Sequence, residues 1–141
     1  MKKTILHIIY NLGRGGAETM LVSVLKELND YNNIVITLDS TNDFLGELIC
    51  DKHICLGCSK PWQVPVAILR LKKIIRTYRP DLVHTHLFWP TLIARLAVPS
   101  KIPLITTIHS YVATSIEYKS VAVKLIDQIS YRFRKNIIVG V

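Results

Sequence analysis

Acid is what this chain has least of among its charges. Ten Asp and Glu against 18 Lys and Arg leave a formal net charge of +8 over 141 residues, so an anionic partner is favoured. A phosphate-bearing small molecule, a nucleic acid or an acidic membrane surface would each answer that balance. Aromatic residues are few, at 8%, and Trp62 and Trp89 stand isolated. With no aromatic-interleaved basic stretch and no recognised binding module, nucleic acid is not expected as the partner. The three cysteines, an odd number, argue against a disulfide scaffold and suit a reducing cytosol. No apolar run reaches the roughly 18 residues that a spanning helix needs. The run over residues 4–10, behind Lys2 and Lys3, contains His7 and Tyr10. It then meets a glycine-rich turn where a signal peptide would carry a small-residue cleavage site. The expected compartment is therefore cytoplasmic, with docking on the inner face of a membrane left open. There is also no internal repeat, low-complexity stretch or linker.

What is present is aliphatic. Half the residues are hydrophobic and a fifth are charged, which fits one globular α/β domain over 1–141 and excludes intrinsic disorder. A chain of this length can bury a core on both faces of a sheet. Runs over 4–10, 34–39, 54–56, 82–85, 104–108 and 137–139 are rich in Ile, Val, Leu and Thr without strict alternation, as strands buried on both faces are. Between the first two, Ala17, Met20, Leu21, Val24, Leu25 and Leu28 recur three and four apart and predict a helix. Ala67, Ile68, Leu71, Ile74, Ile75 and Tyr78 predict a second, ended by Pro80. Weaker patterns predict helices over 44–51, 90–98 and 120–134. Alternation of this kind implies right-handed crossovers and a doubly wound, mostly parallel, Rossmann-like sheet.

Ligands of such sheets bind outside the C-terminal ends of the strands. Residues 11–16, Ser40, residues 57–60, residues 86–89, and His109, Ser110 and Tyr111 are thereby expected on one rim. Arg14, Lys60 and the rim imidazoles should make it basic and hydrogen-bonding, a cleft suited to an anion.

The strongest local signal is Asn11-Leu12-Gly13-Arg14-Gly15-Gly16-Ala17-Glu18, set between the first strand and the first helix. Glycine permits positive φ and lets backbone approach a ligand with no Cβ in the way. The helix that follows offers free N–H groups and its positive dipole end to a phosphate. The plain alternative is a tight turn that needs glycine. A dinucleotide fingerprint competes, with Asp39 ending the second strand where a ribose-binding carboxylate would sit. Gly13 and Gly15 match its first two positions, but Glu18 occupies the third, where close helix–sheet packing wants no side chain.

Pro80-Asp81-Leu82-Val83-His84-Thr85-His86-Leu87-Phe88-Trp89 places two imidazoles on one strand face. Two such rings could bind zinc, but no cysteine or carboxylate partner lies at ligand spacing. His84 reads as a hydrogen-bonded, partly buried strand histidine, whereas His86 is nearer the rim and should touch a ligand. Pro103-Leu104-Ile105-Thr106-Thr107-Ile108-His109-Ser110 ends another strand in a histidine, which can hydrogen-bond a sugar hydroxyl or, protonated, face a phosphate. Cys50, His53, Cys55 and Cys58 allow a Cys3His zinc site arithmetically. Against it, Cys55 lies in an apolar run where cysteine behaves as a small hydrophobe. Arg70, Lys72, Lys73, Arg76 and Arg79 on the second helix, with Lys124, Arg132, Arg134 and Lys135 on the last, read as solvated faces or as a surface for acidic lipid headgroups.

Taken together, Ile5 to Leu28 with its Gly-Arg-Gly-Gly-Ala-Glu loop, Pro80 to Trp89 and Pro103 to Ser110 resemble the N-terminal domain of family 4 glycosyltransferases, in order and spacing, through nearly the whole chain. The resemblance implies the N-terminal half of a GT-B fold, two Rossmann-like domains facing across a cleft. It also implies transfer of a sugar from a nucleotide-sugar to a glycan or lipid-linked acceptor, with retention of configuration and without a metal or other cofactor, as in polysaccharide biosynthesis. By that likeness Gly15 and Gly16 approach the donor diphosphate, and His109 contacts the donor sugar as the catalytic residue. Arg14, Glu18, His86 and Trp89 line the acceptor side. The family's second domain carries the nucleotide pocket, and these residues hold none of it. The expectation is a domain that is silent alone: a truncated form, a pseudogene remnant, or a subunit whose C-terminal half arrives on another chain. Two competing readings are a nucleotide- or dinucleotide-binding module and a non-catalytic membrane-surface protein on the same sheet. The transferase reading requires His109 to lie near Gly15 and Gly16, unburied.

Overall fold

In the computed structural model, residues 1–109 and 120–141 are described. Ser110 and Tyr111, expected on the rim, lie outside them. All six expected strands form: β1 (Thr4–Ile9), β2 (Asn32–Thr37), β3 (Lys52–Cys55), β4 (Leu82–His86), β5 (Leu104–Ile108) and β6 (Ile137–Gly140). They make one sheet in the order β3-β2-β1-β4-β5-β6, and among the described residues every pairing is parallel. The α-helices among the described residues are α1 (Gly16–Glu27), α2 (Val64–Tyr78), α3 (Phe88–Ala97) and α4 (Val121–Phe133). The order runs outward both ways from β1 and β4, so the sheet is doubly wound and Rossmann-like.

Strand parity sorts the core into two. Leu6, Ile8, Ile34, Ile36, Val83 and Leu104 face the α2–α3 side and pack with Ala67, Leu71, Ile75 and Ile93. Ile9 and Val35 face the other way, under Ala17, Leu21, Val22 and Leu25 of α1 and against Phe44. The buried stripe of α1 takes Val22 where Val24 was expected; Val24 is exposed. α2 begins with Pro65 in its first turn, where a missing N–H costs nothing. It ends at Arg79 in a left-handed conformation, φ 45°, before Pro80. β6 is exposed along its length at the sheet edge.

One expected helix is absent. Residues 44–51 make a single turn, in which Glu47 and Leu48 donate to the Phe44 carbonyl at 2.9 and 3.1 Å. Gly46 within it has φ +85°, a conformation that stops helix propagation at once. A short 3-10 turn (Pro61–Gln63) that the periodicity did not reveal precedes α2. No helix among the described residues is long and apolar enough to cross a membrane.

Candidate functional site

The strand order reverses between β1 and β4, and the loops leaving their C-terminal ends diverge there. Tyr10, Asn11, Glu18, Leu87, Trp89 and Pro90 line an open cavity of about 360 Å³ at this point. A notch of about 60 Å³ beside it shares Tyr10 and Trp89 and is edged by Ser59 and Lys60.

The glycine loop forms one wall. Asn11 Oδ1 accepts from the Gly13 N–H at 3.0 Å, and the Gly15 N–H donates to the Gly13 carbonyl at 3.0 Å, so the turn is internally bonded. Gly15 is the N-cap of α1, with extended backbone (φ −132°) and no side-chain cap. The first-turn amides of α1 therefore carry no side-chain acceptor at the cap, which leaves an anion-binding helix terminus. Positive φ is not the reason for these glycines: among the described residues only Gly46 and Gly57 adopt it. Nor does space demand Gly15 or Gly16: a Cβ on Gly16 would meet nothing within 4 Å, and one on Gly15 would press only on the flexible end of Glu18, at Oε2. Glu18 thus folds back over Gly15, its negative charge at the positive end of its own helix. An incoming anion has to displace that carboxylate.

The histidines form the other wall and its foundation. His86 Nδ1 and His109 Nε2 share a hydrogen bond of 3.1 Å, and their rings stack with centroids 5.4 Å apart. His109 is half-buried at the end of β5. Burial pulls its pKa down, while the nearby Glu18 carboxylate pulls it up. Glu18 therefore lies against Gly15 and within electrostatic reach of His109. His86 is only 1% exposed; burial, helped by the imidazoles of His84, His7 and His109, pushes its pKa down to about 2. His84 is also lowered, by burial and then by His109. The ring row is uncharged at neutral pH, so the rim is less basic than expected. Its imidazoles act through hydrogen bonds rather than charge.

The other expected residues divide. Trp89 stands at the cavity, half-buried. His86, expected to touch a ligand, is covered and reaches the rim only through His109, because it sits within β4 and not beyond it. Arg14 turns away from both: it pairs with Glu47 at 2.9 Å, and its guanidinium lies 5.1 Å from the Phe44 ring centre. The turn at Phe44 to Glu47, where a helix over 44–51 was expected, supplies those partners. His84 Nε2 meets Thr107 Oγ1 at 2.8 Å, the hydrogen-bonded strand histidine that was anticipated. Asp39 accepts from the Thr41 hydroxyl and amide at 2.6 and 3.1 Å, which lowers its pKa and engages the would-be ribose carboxylate locally. Among the described residues Cys50, His53, Cys55 and Cys58 do not converge: His53 bonds Thr37 Oγ1 at 3.1 Å, and Cys55 is exposed while Cys58 is buried. Arg70 donates to the Leu56 carbonyl, whereas Lys72, Lys73 and Arg76 remain exposed.

Two contributors escaped the sequence reading. Leu87 has φ 69° and ψ 175°, a region that is nearly glycine-only and costs about 1–3 kcal/mol. Its carbonyl accepts from Thr91 Oγ1 at 2.6 Å, and Thr91 in turn meets Thr85 Oγ1 at 3.0 Å, so a buried hydroxyl chain holds the strained turn. No residue-type signal marks a strained leucine. The other is His7, 1% exposed in β1; burial lowers its pKa to about 4, against a raising hydrogen bond from Asn33. Parity would place it beside His84 only once the β1–β4 pairing is known.

The model of the family described as Glycosyltransferase Family 4 matches residues 14–139. None of the curated proteins matches the chain. Among solved structures, the UDP-GlcNAc 2-epimerase of Neisseria meningitidis, solved bound to UDP-GlcNAc, is similar over 90% of this chain and 38% of its own, with a TM-score of 0.59 and 21% identity. The UDP-GlcNAc 2-epimerase of Methanocaldococcus jannaschii is similar over 96% of this chain and 39% of its own, with a TM-score of 0.56 and 14% identity. The chain thus spans about two fifths of the length of either neighbour, and at these identities the likeness is one of fold.

Proposed function

From the premise that this chain belongs to glycosyltransferase family 4, we propose that it forms the acceptor-side wall of a retaining glycosyltransferase that moves a sugar from a nucleotide-sugar to a glycan or lipid-linked acceptor. The observation that carries this reading is that Glu18, which lines an open cavity at the switch point, lies against Gly15 and within electrostatic reach of His109. In it, the bare backbone at Gly15 and Gly16 receives the donor diphosphate once Glu18 swings aside. Negative charge growing on the leaving nucleoside diphosphate is then stabilised by fixed amide donors and the α1 dipole. Neutral His109 hydrogen-bonds a sugar hydroxyl, held in orientation by His86 from below. Glu18 and Trp89 line the acceptor side, and Arg14 joins them only by leaving Glu47. The reading assigns no metal to the transfer step. The nucleotide itself is held by a facing domain, in the same or another chain. The domain by itself therefore gives no turnover, since one wall cannot hold a donor in attack geometry.

The α2 face fits a lipid-linked acceptor at an anionic membrane surface. Leu69, 66% exposed, shares a face of α2 with the cations Lys72, Lys73 and Arg76. Trp62, 72% exposed in the turn that leads into α2, lies under Lys60, an amphipathic pairing suited to the headgroup boundary. In this reading the protein works in the cytoplasm, at the inner face of a membrane.

The experiment is saturation-transfer NMR of the chain with a panel of uridine and guanosine diphosphate sugars, UDP-GlcNAc among them. We expect saturable binding with Kd about millimolar, lost in Gly16→Ala and in His109→Ala. Equal binding by the wild type and Gly16→Ala would remove the loop from the site. Saturable quenching of tryptophan fluorescence by NADH would favour the dinucleotide-binding reading instead.

A further inference from the structure

Three imidazoles converge beneath the rim, on the α1 face of β1 and β4, outside the cavity described above. The register pairs His7 with His84, and two residues further along β4 His86 returns to the same face. One ring nitrogen from each lies within 4.8 Å of the other two. The ring centres of His7 and His84 are 5.7 Å apart, those of His84 and His86 4.2 Å.

Hydrogen bonds account for one nitrogen on each ring. His7 Nε2 faces Asn33 Oδ1 at 3.3 Å, His84 Nε2 faces Thr107 Oγ1 at 2.8 Å, and His86 Nδ1 faces His109 Nε2 at 3.1 Å. Asn33 Nδ2 donates to the Leu28 carbonyl at 2.8 Å, so its Oδ1 is the acceptor and His7 carries its proton on Nε2. His7 Nδ1 is then a bare lone pair. That atom and His86 Nε2 are buried with no hydrogen-bond partner, on rings that are each 1% exposed. Two orphaned nitrogens on converging rings are an exception to the rule that buried polar atoms are paired, and a bound cation would satisfy both.

We propose that His7, His84 and His86 form a three-imidazole site for a divalent transition-metal ion of the zinc class. Imidazole suits zinc and its neighbours, while magnesium and calcium take oxygen ligands that this cluster lacks. Three imidazoles and one water complete the open tetrahedral arrangement, and half-buried His84 leaves a side from which the water enters. Asn33, Thr107 and His109 then do what outer partners of metal-bound histidines do, fixing each ring by its second nitrogen. Sequence spacing offered only two of the three ligands; β1 brings the third. With His86 Nε2 on the ion, its Nδ1–H donates to His109 Nε2, and the remaining His109 proton sits on Nδ1. The ion thus pins β1 to β4 and sets a tautomer at the rim, whatever the rim binds.

The test is titration of the chelator-treated full chain with Co2+, read by visible absorption. We expect the bands of four-coordinate cobalt to rise saturably in the wild type and to be bleached by Zn2+. They should be lost in His7→Gln and His84→Ala and kept in the triple variant C50S/C55S/C58S. Thr107→Val, which retains all three ligands, should bind about 10–100-fold more weakly. Half-buried His84 is the position at which substitution least threatens folding, checked by far-ultraviolet circular dichroism. No saturable band in the wild type, or a band that survives His84→Ala, would overturn the site.

Discussion

Successive residues of β4 serve two faces of the sheet, and those faces differ in kind. Val83 points to the α2–α3 side, into an aliphatic cluster. Thr85 points the same way and closes a hydroxyl chain through Thr91 and Thr106. His84 and His86 point to the opposite side, into a row of imidazoles that runs from His7 to His109. On the first face the buried hydroxyls of Thr85, Thr91 and Thr106 bond one another within the aliphatic packing, and so contribute stability. The other leaves two ring nitrogens without partners, at about 1–3 kcal/mol for each buried orphan. A fold keeps such groups where they do something else. Because a strand alternates with period two, scaffold and chemistry occupy adjacent positions without disturbing each other.

Breaking the packed face should have the largest effect. Leu71 is fully buried on α2, and Leu71→Ala should cost about 2–5 kcal/mol in urea unfolding, equally at every pH. The imidazole face should respond to pH instead. The folded-state pKa of His7 is about 4 against 6.5 for the free group. The unfolded chain therefore binds the proton that the folded ring resists. Stability is complete above pH 6.5 and falls as the pH drops from 6.5 towards 4. His7 alone contributes about 3 kcal/mol of that loss. Urea midpoints measured with chelator present should fall in this direction, and His7→Gln should make the fall shallower, the remainder coming from His86, whose pKa is lower still. A flat wild-type profile would mean that the imidazoles are solvated and the two faces are alike.

Smaller effects separate the rim from both faces. Gly16 has open space where a side chain would be and stands in the first turn of α1. Gly16→Ala should change stability by less than about 1 kcal/mol, in the stabilising direction, while abolishing nucleotide-sugar binding. Loss of stability would make Gly16 a folding residue. Least of all, Trp62→Ala should leave unfolding unchanged and reduce flotation with anionic liposomes. Equal flotation on neutral and anionic lipid would remove the membrane role of α2.

Much of this was legible in the residues. Residues 4–10 and 82–85 read as strands because their runs are rich in Ile, Val, Leu and Thr without strict alternation. The doubly wound order followed from alternation with the stripes that run from Ala17 to Leu28 and from Ala67 to Tyr78. What was not legible depends on long-range register or backbone strain. His7 read as a polar interruption of a strand until pairing set it against His84. Arg14 reads as a rim cation because it directly follows β1; its pairing with Glu47 depends on a turn where the pattern predicts a helix and Gly46 at positive φ prevents one. Leu87 adopts a conformation that its residue type disfavours, and only the hydroxyl chain through Thr91 explains how it persists.

The central claim is that the glycine loop and the strand-end histidine serve one ligand. Amide and imidazole chemical-shift mapping of the 15N-labelled chain, titrated with UDP-GlcNAc, tests it most directly. The account predicts that Gly15, Gly16, Glu18 and His109 shift together along one saturable curve. Shifts confined to the cations of α2, or a His109 that stays still while the loop moves, would contradict it.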